Sequence, residues 1–554
     1  MRKRGQRNGI HVKTYTGSNA VLLAMNLPEE RRKGLLGFAI EREQLSNGKR
    51  QWLQGLLHFP GVSREPGEPT STQVAPIQRF RWSDYTVRAG EKYRYVVHAV
   101  YGAPGRLRLD RGPSILVHPQ TLLSGKQIVH FNRAAAASQA FSRTFRDVDR
   151  AIEEARRAGT LSQYQLPPRA LRWLSDGLLE QILAFLARAT DGTWALDIAI
   201  YEYELEAIAK AVEAAHQRGV KVRIVYHAKR GDKQTAINED HLGGIPDDLK
   251  RPRITSHICH HKFIVLSRLR KEGVRQPVSV LCGSANFTEN GVYRQANVVH
   301  ILDRKEIATE YVTIFEQLFQ GATPGETRRF ITAHDPIDLR PPIFAGFSPR
   351  AMPEDLQAFI SLIQSARRDV LFCTSFNLDD EVENALIGAP HDQVLRYGLE
   401  NTRSRITGFH ADRTASFVAT AMLKEGLEGF LRESTRGQRG NILVHTKAIL
   451  VDFTSENPIV ISGSHNYSKT ASQGNDENYL ILRADPDVAD AYGCELLRIY
   501  DHYRFRFRVM QPARARNGKP FALDPTDQWT EDYFRSGSLK AADRERFCDL
   551  PERT

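Results

Sequence analysis

The chain is poor in cysteine. Its 554 residues hold five, Cys259, Cys282, Cys373, Cys494 and Cys548, an odd and scattered set that excludes a disulfide framework. It has no run of about 18 apolar residues, so no membrane-spanning helix is expected. The basic opening "MRKRGQRNGI" is not followed by the apolar stretch of a secretory signal, and the expected location is the cytoplasm. No amphipathic or aromatic-rich apolar segment stands out that would dock on a bilayer.

What the chain does have is positive charge. Its 77 Lys and Arg against 65 Asp and Glu give a formal +12, which raises the local concentration of polyanions such as nucleic acid or anionic lipid. Apolar residues make up 41% and charged ones 26%, an ordinary folding composition. The length exceeds one hydrophobic core, so roughly three or four domains are expected.

Residues 1–118 alternate apolar and polar positions in "VLLAMNL", "LLGFAIE" and "YRYVVHAVYG", between turn-forming clusters, and read as an all-β sandwich. The piece "VRAGEKYRYVVHAV" resembles the late strands of a fibronectin type III domain, with Tyr93 as its corner tyrosine. Such a module more often binds a protein partner or positions a target than catalyses. Residues 119–175 read as a helical connector. From 176 to 335 the pattern is α/β: a helix in "SDGLLEQILAFLARA", a strand in "WALDIAIY", a helix ending at Gly219, and a strand in "VKVRIVY". Residues 336–510 repeat that order, an internal repeat of roughly 180 residues, and 511–554 form a C-terminal tail.

Each half carries the same short pattern. The first has His260 and Lys262, then Gly283-Ser284-Ala285-Asn286; the second has His445 and Lys447, Asp452, then Gly463-Ser464-His465-Asn466. One H-x-K arises by chance in a chain of this composition. Two copies, each followed by GSxN about twenty residues later and then by an apolar strand, do not. Alternation along a strand puts the His and Lys of each pair on one face. Two imidazoles and two ammoniums around one point suit a phosphodiester, with Lys262, Lys447, Asn286, Asn466 and the Ser284 and Ser464 hydroxyls able to hold the non-bridging oxygens.

The pattern resembles the phospholipase D superfamily, over about residues 176 to 505. The resemblance implies duplicated α/β/α halves with pseudo-twofold symmetry and metal-independent phosphodiester hydrolysis through a phosphohistidine. It implies further His260 as nucleophile, His445 as general acid, Glu477 as the residue that hydrogen-bonds the histidine ring, and Asp452 as a supporting residue. The sequence itself does not say which histidine attacks. The first copy departs from the pattern at Ser267, in place of the signature Asp, and at Asn297, where the second copy has Glu477. An amide there orients an imidazole without stabilising its cation.

Lys229, Arg230 and Lys233 in one half, and Arg403 and Arg405 in the other, follow equivalent strands and are candidates for the cleft mouth. His257, Cys259, His260 and His261 cluster in "HICHH", yet neighbouring strand residues diverge and no CxxC completes a set. No metal and no cofactor is expected. The basic chain and the lack of spanning segments favour a nuclease with nucleic acid as substrate and no integral membrane association. An intracellular phospholipase D acting on phosphatidyl headgroups is the second reading. A non-catalytic nucleic-acid-binding or scaffold protein is the third.

Overall fold

The computed structural model describes the chain apart from residues 1, 63–67, 124, 135–137, 377, 390–391, 403–405, 411–414, 419–442, 511–521 and 550–554. The N-terminal region is built from two four-stranded sheets. One holds Lys3–Arg7, Ile10–Thr16, Val21–Asn26 and Arg81–Asp84, the other Gly37–Gln44, Lys49–Trp52, Tyr93–Ala103 and Arg106–Val117. Val21, Leu23 and Met25 share a core with Phe38, Ile40, Tyr95 and Val97 of the second sheet. The intervening Leu22 and Ala24 turn the other way, into the main core of the protein. Burial on both faces explains why "VLLAMNL" is a continuous apolar run. The hydroxyl of Tyr93 accepts the backbone N–H of Arg88 at 3.0 Å, fixing the approach to its strand.

Two eight-stranded sheets carry the rest, and a run of seven strands in one recurs in the same order in the other, leaving Leu122–Leu123 at the start of the first and Ala415–Val418 at the end of the second. The first runs from Gln127–Phe131 through Val298–Leu302, Arg275–Gly283, Lys262–Leu269, Trp194–Ile200 and Lys221–Ala228 to Lys250–Ile254. The second runs from Ile343–Ser348 through Glu477–Arg483, Ile459–Gly463, Ala448–Val451, Asp369–Ser375 and Leu395–Asn401 to Ile406–Phe409. One pairing differs: Lys250–Ile254 lies parallel to its neighbour, Ile406–Phe409 antiparallel. Helices start where the sequence offers caps. Ser175 accepts the N–H of Leu179 at 3.0 Å, and Asp379 caps Asp380–Ile387. Gly219, at φ +87°, ends Glu206–Gln217 in a conformation that other residues resist.

Two boundaries differ from the sequence expectation. The connector is not all helical, because Gln127–Phe131 pairs with Val298–Leu302 and forms part of the first large sheet. Five residues flanked by polar turns give too short a period to stand out beside the helices that follow. The segment after residue 521 is not a loose tail. The Trp529 indole donates to the Leu35 carbonyl at 2.8 Å and stacks on Phe80 at 5.4 Å. Helix Leu539–Cys548 reaches both bodies: Asp543 takes Arg81 of the N-terminal region and the Tyr397 hydroxyl of the second half.

Candidate active site

The two halves meet at two short parallel bridges. Cys259 pairs with Asp476, and Ala296 with Val444. The His260 N–H then donates to the Asp476 carbonyl at 2.8 Å and the His445 N–H to the Ala296 carbonyl at 3.0 Å. The regular strands begin only afterwards, at Lys262 and Ala448. The H-x-K segments are therefore strand entrances rather than strand interiors, because their backbone groups find partners across the junction instead of within their own sheets.

Each imidazole is held by the opposite half. His260 Nδ1 lies 2.7 Å from Glu477 Oε2, and that carboxylate also accepts the Ser464 hydroxyl at 2.6 Å and the Asn475 amide at 3.0 Å. His445 Nδ1 lies 2.9 Å from Asn297 Oδ1, which accepts the Ser284 hydroxyl at 2.8 Å. An oxygen acceptor on Nδ1 places the proton there and leaves Nε2 as the unprotonated nitrogen of each neutral ring. The serines correct the sequence expectation. Both are fully buried and position Glu477 and Asn297 from behind, since the strand turn after each Gly aims the hydroxyl away from the cavity.

The lysines form a second layer. Lys262 and Lys447 are 1% and 0% exposed, and each ammonium donates to the carbonyl of its own histidine, at 2.8 and 3.0 Å. Lys262 sits 5.3 Å from the Tyr201 ring centroid and Lys447 5.7 Å from that of Phe376, so each cation rests on an aromatic face. Lys447 also donates to the Ser375 hydroxyl at 3.2 Å.

Burial and the two ammoniums push both imidazoles well below the ordinary histidine range, so both rings are neutral in the free protein. Burial lowers Lys262 to about 8 and Lys447 well below the usual lysine value. Burial raises Glu477, against the pull of His465 and Lys262.

In front lies a cavity of about 1100 Å³ whose wall includes His260, His445, Asn286, Asn466 and Glu202. Lys229, Arg230 and Lys233 stand on its rim, the first two on the loop after Lys221–Ala228 and the third at the start of helix Lys233–His241. Lys229 is steadied by the Ser256 carbonyl at 3.0 Å. Arg403 and Arg405 lie outside the described residues. Asp452 takes no part: at φ +52° its carboxylate accepts the N–H groups of Arg367 and Arg368 at 2.9 and 2.7 Å. It pins the turn before Asp369–Ser375, a full strand length from the histidines. The "HICHH" side chains diverge: Cys259 and His261 are fully buried, and His261 turns to Asn478 at 3.3 Å. Among the described residues no group of His, Cys, Asp and Glu is placed to hold a metal ion. No described helix is long and apolar enough to cross a membrane.

Sequence reasoning missed Tyr201, Glu202 and Phe376. The signal was there in position rather than motif: all three directly follow buried strands, at the carboxyl ends where open α/β sheets build their sites.

The chain is similar to several known proteins. The chain is 26% identical over 155 residues to the mitochondrial cardiolipin hydrolase of Xenopus tropicalis, a match covering 27% of this chain and 65% of that protein. The match therefore spans just under two thirds of the relative. Among solved structures, phosphatidylserine synthase of Haemophilus influenzae aligns over 68% of this chain and 94% of its own at 13% identity and a TM-score of 0.41. The phospholipase D family member Nuc of Salmonella typhimurium aligns over 26% of this chain and 86% of its own, at 23% identity and a TM-score of 0.21. Residues 182–319 and 359–500, just over half of the chain and one segment in each half, match the family described as cardiolipin synthase, PLD-like domain. The chain belongs to this phospholipase D-like family.

Proposed function

We propose that the protein is a phosphodiesterase that works without a metal, a nuclease acting on nucleic-acid phosphodiesters. The observation that carries this reading is the crossed pair of histidines, each ring set by a residue of the other half, at 2.7 Å for His260 and 2.9 Å for His445. In this reading the halves are related by a pseudo-twofold axis through the site.

His260 Nε2 attacks phosphorus while the bond to the leaving oxygen breaks, giving a phosphohistidine. The Glu477 carboxylate stabilises the cationic ring that forms. His445 takes up a proton when the diester anion offsets the two ammoniums, and gives it to the leaving oxygen. Now neutral, His445 removes a proton from water, and the resulting attack on phosphorus breaks the P–N bond and frees His260. Lys262, Lys447, Asn286 and Asn466 oppose the charge on the equatorial oxygens.

The substrate reading rests on the wall of the cavity. Most of its lining residues carry polar or charged side chains, with Lys229, Arg230 and Lys233 at its rim and Ile237, Ile258 and Phe376 as the apolar members, a lining that suits a phosphate backbone. The N-terminal region, with its Tyr93 corner, is a fibronectin-like module that presents the enzyme to a protein partner or target. The family description and the curated relative speak for a lipid substrate as the second reading.

The test is incubation in EDTA with circular single-stranded DNA, plasmid, RNA and phosphatidylcholine or cardiolipin vesicles, beside His260→Ala and His445→Ala. Nucleic-acid cleavage by the parent alone is expected. Turnover confined to vesicles would replace the nuclease reading with the lipid one.

A further inference from the structure

We propose that Glu202 sets the charge that the cleft accepts, admitting singly charged phosphodiesters and disfavouring doubly charged phosphomonoesters. The inference builds on the phosphodiesterase reading above and assigns a specificity role to a residue outside both H-x-K and GSxN patterns.

Glu202 follows the end of the strand Trp194–Ile200 by two residues and stands on the cavity wall with Asn286, His260 and His445. Its Oε2 accepts the side-chain amide of Asn286. The other end of that amide, Asn286 Oδ1, is buried with no partner. The donor that a phosphate oxygen would use is therefore engaged by a carboxylate in the free protein, and the side chain has no second bond to hold it there. The same nitrogen carries a second N–H, and a phosphate oxygen that accepts it or shares the first lies beside the Glu202 carboxylate.

Charge decides which ligand can do so. The groups that face Glu202 are Lys262 and Lys447 from the second layer, Glu204 from its own loop, and the neutral rings of His260 and His445. With Glu202 and Glu477 ionised, the two lysines are already balanced. A diester brings one negative charge, spread over two oxygens. A monoester or inorganic phosphate brings nearly two at neutral pH, and its extra charge falls beside the Glu202 carboxylate in a site shielded from water, where like charges repel strongly. Burial and Glu204 raise Glu202 to about 7, so the repulsion is fullest on the alkaline side of neutrality, where the carboxylate keeps its charge. Hydrolysis of a diester leaves a monoester, so the same repulsion expels the product.

The experiment compares the parent with Glu202→Gln, which keeps the shape and an oxygen acceptor for Asn286, and with Glu202→Ala, both checked for parental melting temperature. Binding of inorganic phosphate and of p-nitrophenyl phosphate is measured by calorimetry at pH 8, and inhibition of bis(p-nitrophenyl) phosphate cleavage by inorganic phosphate is followed alongside. Glu202→Gln is expected to tighten the monoester and inorganic phosphate by about 10-fold, the value of one pK unit of charge interaction, and to make phosphate a correspondingly stronger inhibitor. Phosphate affinities equal in parent and variants, while the parent cleaves the diester, would overturn the role of Glu202 and leave the phosphodiesterase reading intact. Failure of the parent to cleave any diester would remove both.

Discussion

His260 and Glu477 are 217 positions apart in the chain and 2.7 Å apart in space. The carboxylate that orients the ring belongs to the other half, so neither half alone contains a finished imidazole pair. Replacing Glu477 with Gln keeps a hydrogen-bond acceptor but removes the charge that steadies the imidazolium. Turnover should fall by about 10²-fold, within the range that a positioned histidine contributes, while the melting temperature stays within a few degrees. Steady-state kinetics on whichever substrate the EDTA assay shows to be turned over is the check, and parental kcat in this variant would remove the charge argument.

The opposite side invites the reverse change. Asn297→Asp places a carboxylate 2.9 Å from His445 and favours the protonated ring. If His445 delivers the proton, activity falls as pH rises through its pKa, and a carboxylate beside it moves that basic limb to higher pH. The Asn297 amide also donates to the Gly291 carbonyl at 2.9 Å, so the variant should lose about 1–3 kcal/mol of stability. A pH–rate profile unmoved on its basic side would assign the proton to another group.

Beside the junction of the two halves Arg253 of the first grips Asp476 of the second with two bonds, at 2.9 and 2.8 Å. Both side chains are nearly excluded from water, at 4% and 3% exposure. Arg253→Met strands a buried carboxylate, and a loss of about 3–5 kcal/mol is expected. Urea denaturation measures it. A change below about 1 kcal/mol would mean that Asp476 finds water.

Two buried histidines outside the site predict acid sensitivity. Burial lowers His300 to about 3 and His261 to about 4, against roughly 6.5 when unfolded. The unfolded chain binds these protons first as pH falls. Their contribution is complete above pH 6.5 and is lost progressively towards pH 4, by roughly 1 kcal/mol per pH unit for each ring. Urea midpoints at several pH values should follow this slope, and His300→Gln should flatten it. An equal slope in that variant counts against the assignment.

The rim charges make a salt-dependent prediction. Each phosphate contact by Lys229, Arg230 or Lys233 contributes roughly 0.7 to the slope of log affinity against log salt for a single strand. The triple alanine variant should bind single-stranded DNA more weakly and with a slope lower by about 2. An unchanged slope would place these charges off the path of the strand.

The duplicated H-x-K and GSxN segments were legible because repetition raises a weak motif above chance, and the helices and strands around them follow their own periodicity. The crossed hydrogen bonds were not, because Asn297 and Glu477 act on histidines that only the packing of two halves brings near. Ser284 and Ser464 were read as ligands for phosphate when the local turn aims them backwards. Glu202 carries no pattern at all and gains meaning only from Asn286. Gln127–Phe131 and Leu539–Cys548 were missed for one reason: each is short, and each draws its stability from a surface supplied by distant sequence.

The N-terminal region is fastened at several points. Arg2 pairs with Asp490 at 3.0 Å, the Tyr15 hydroxyl donates to the Phe547 carbonyl at 2.8 Å, and Arg81 meets Asp543 at 3.0 Å. A body fixed in this way cannot swing on a tether. Its outer surface therefore keeps one set distance and bearing from the histidines, like one jaw of a locked caliper from the other.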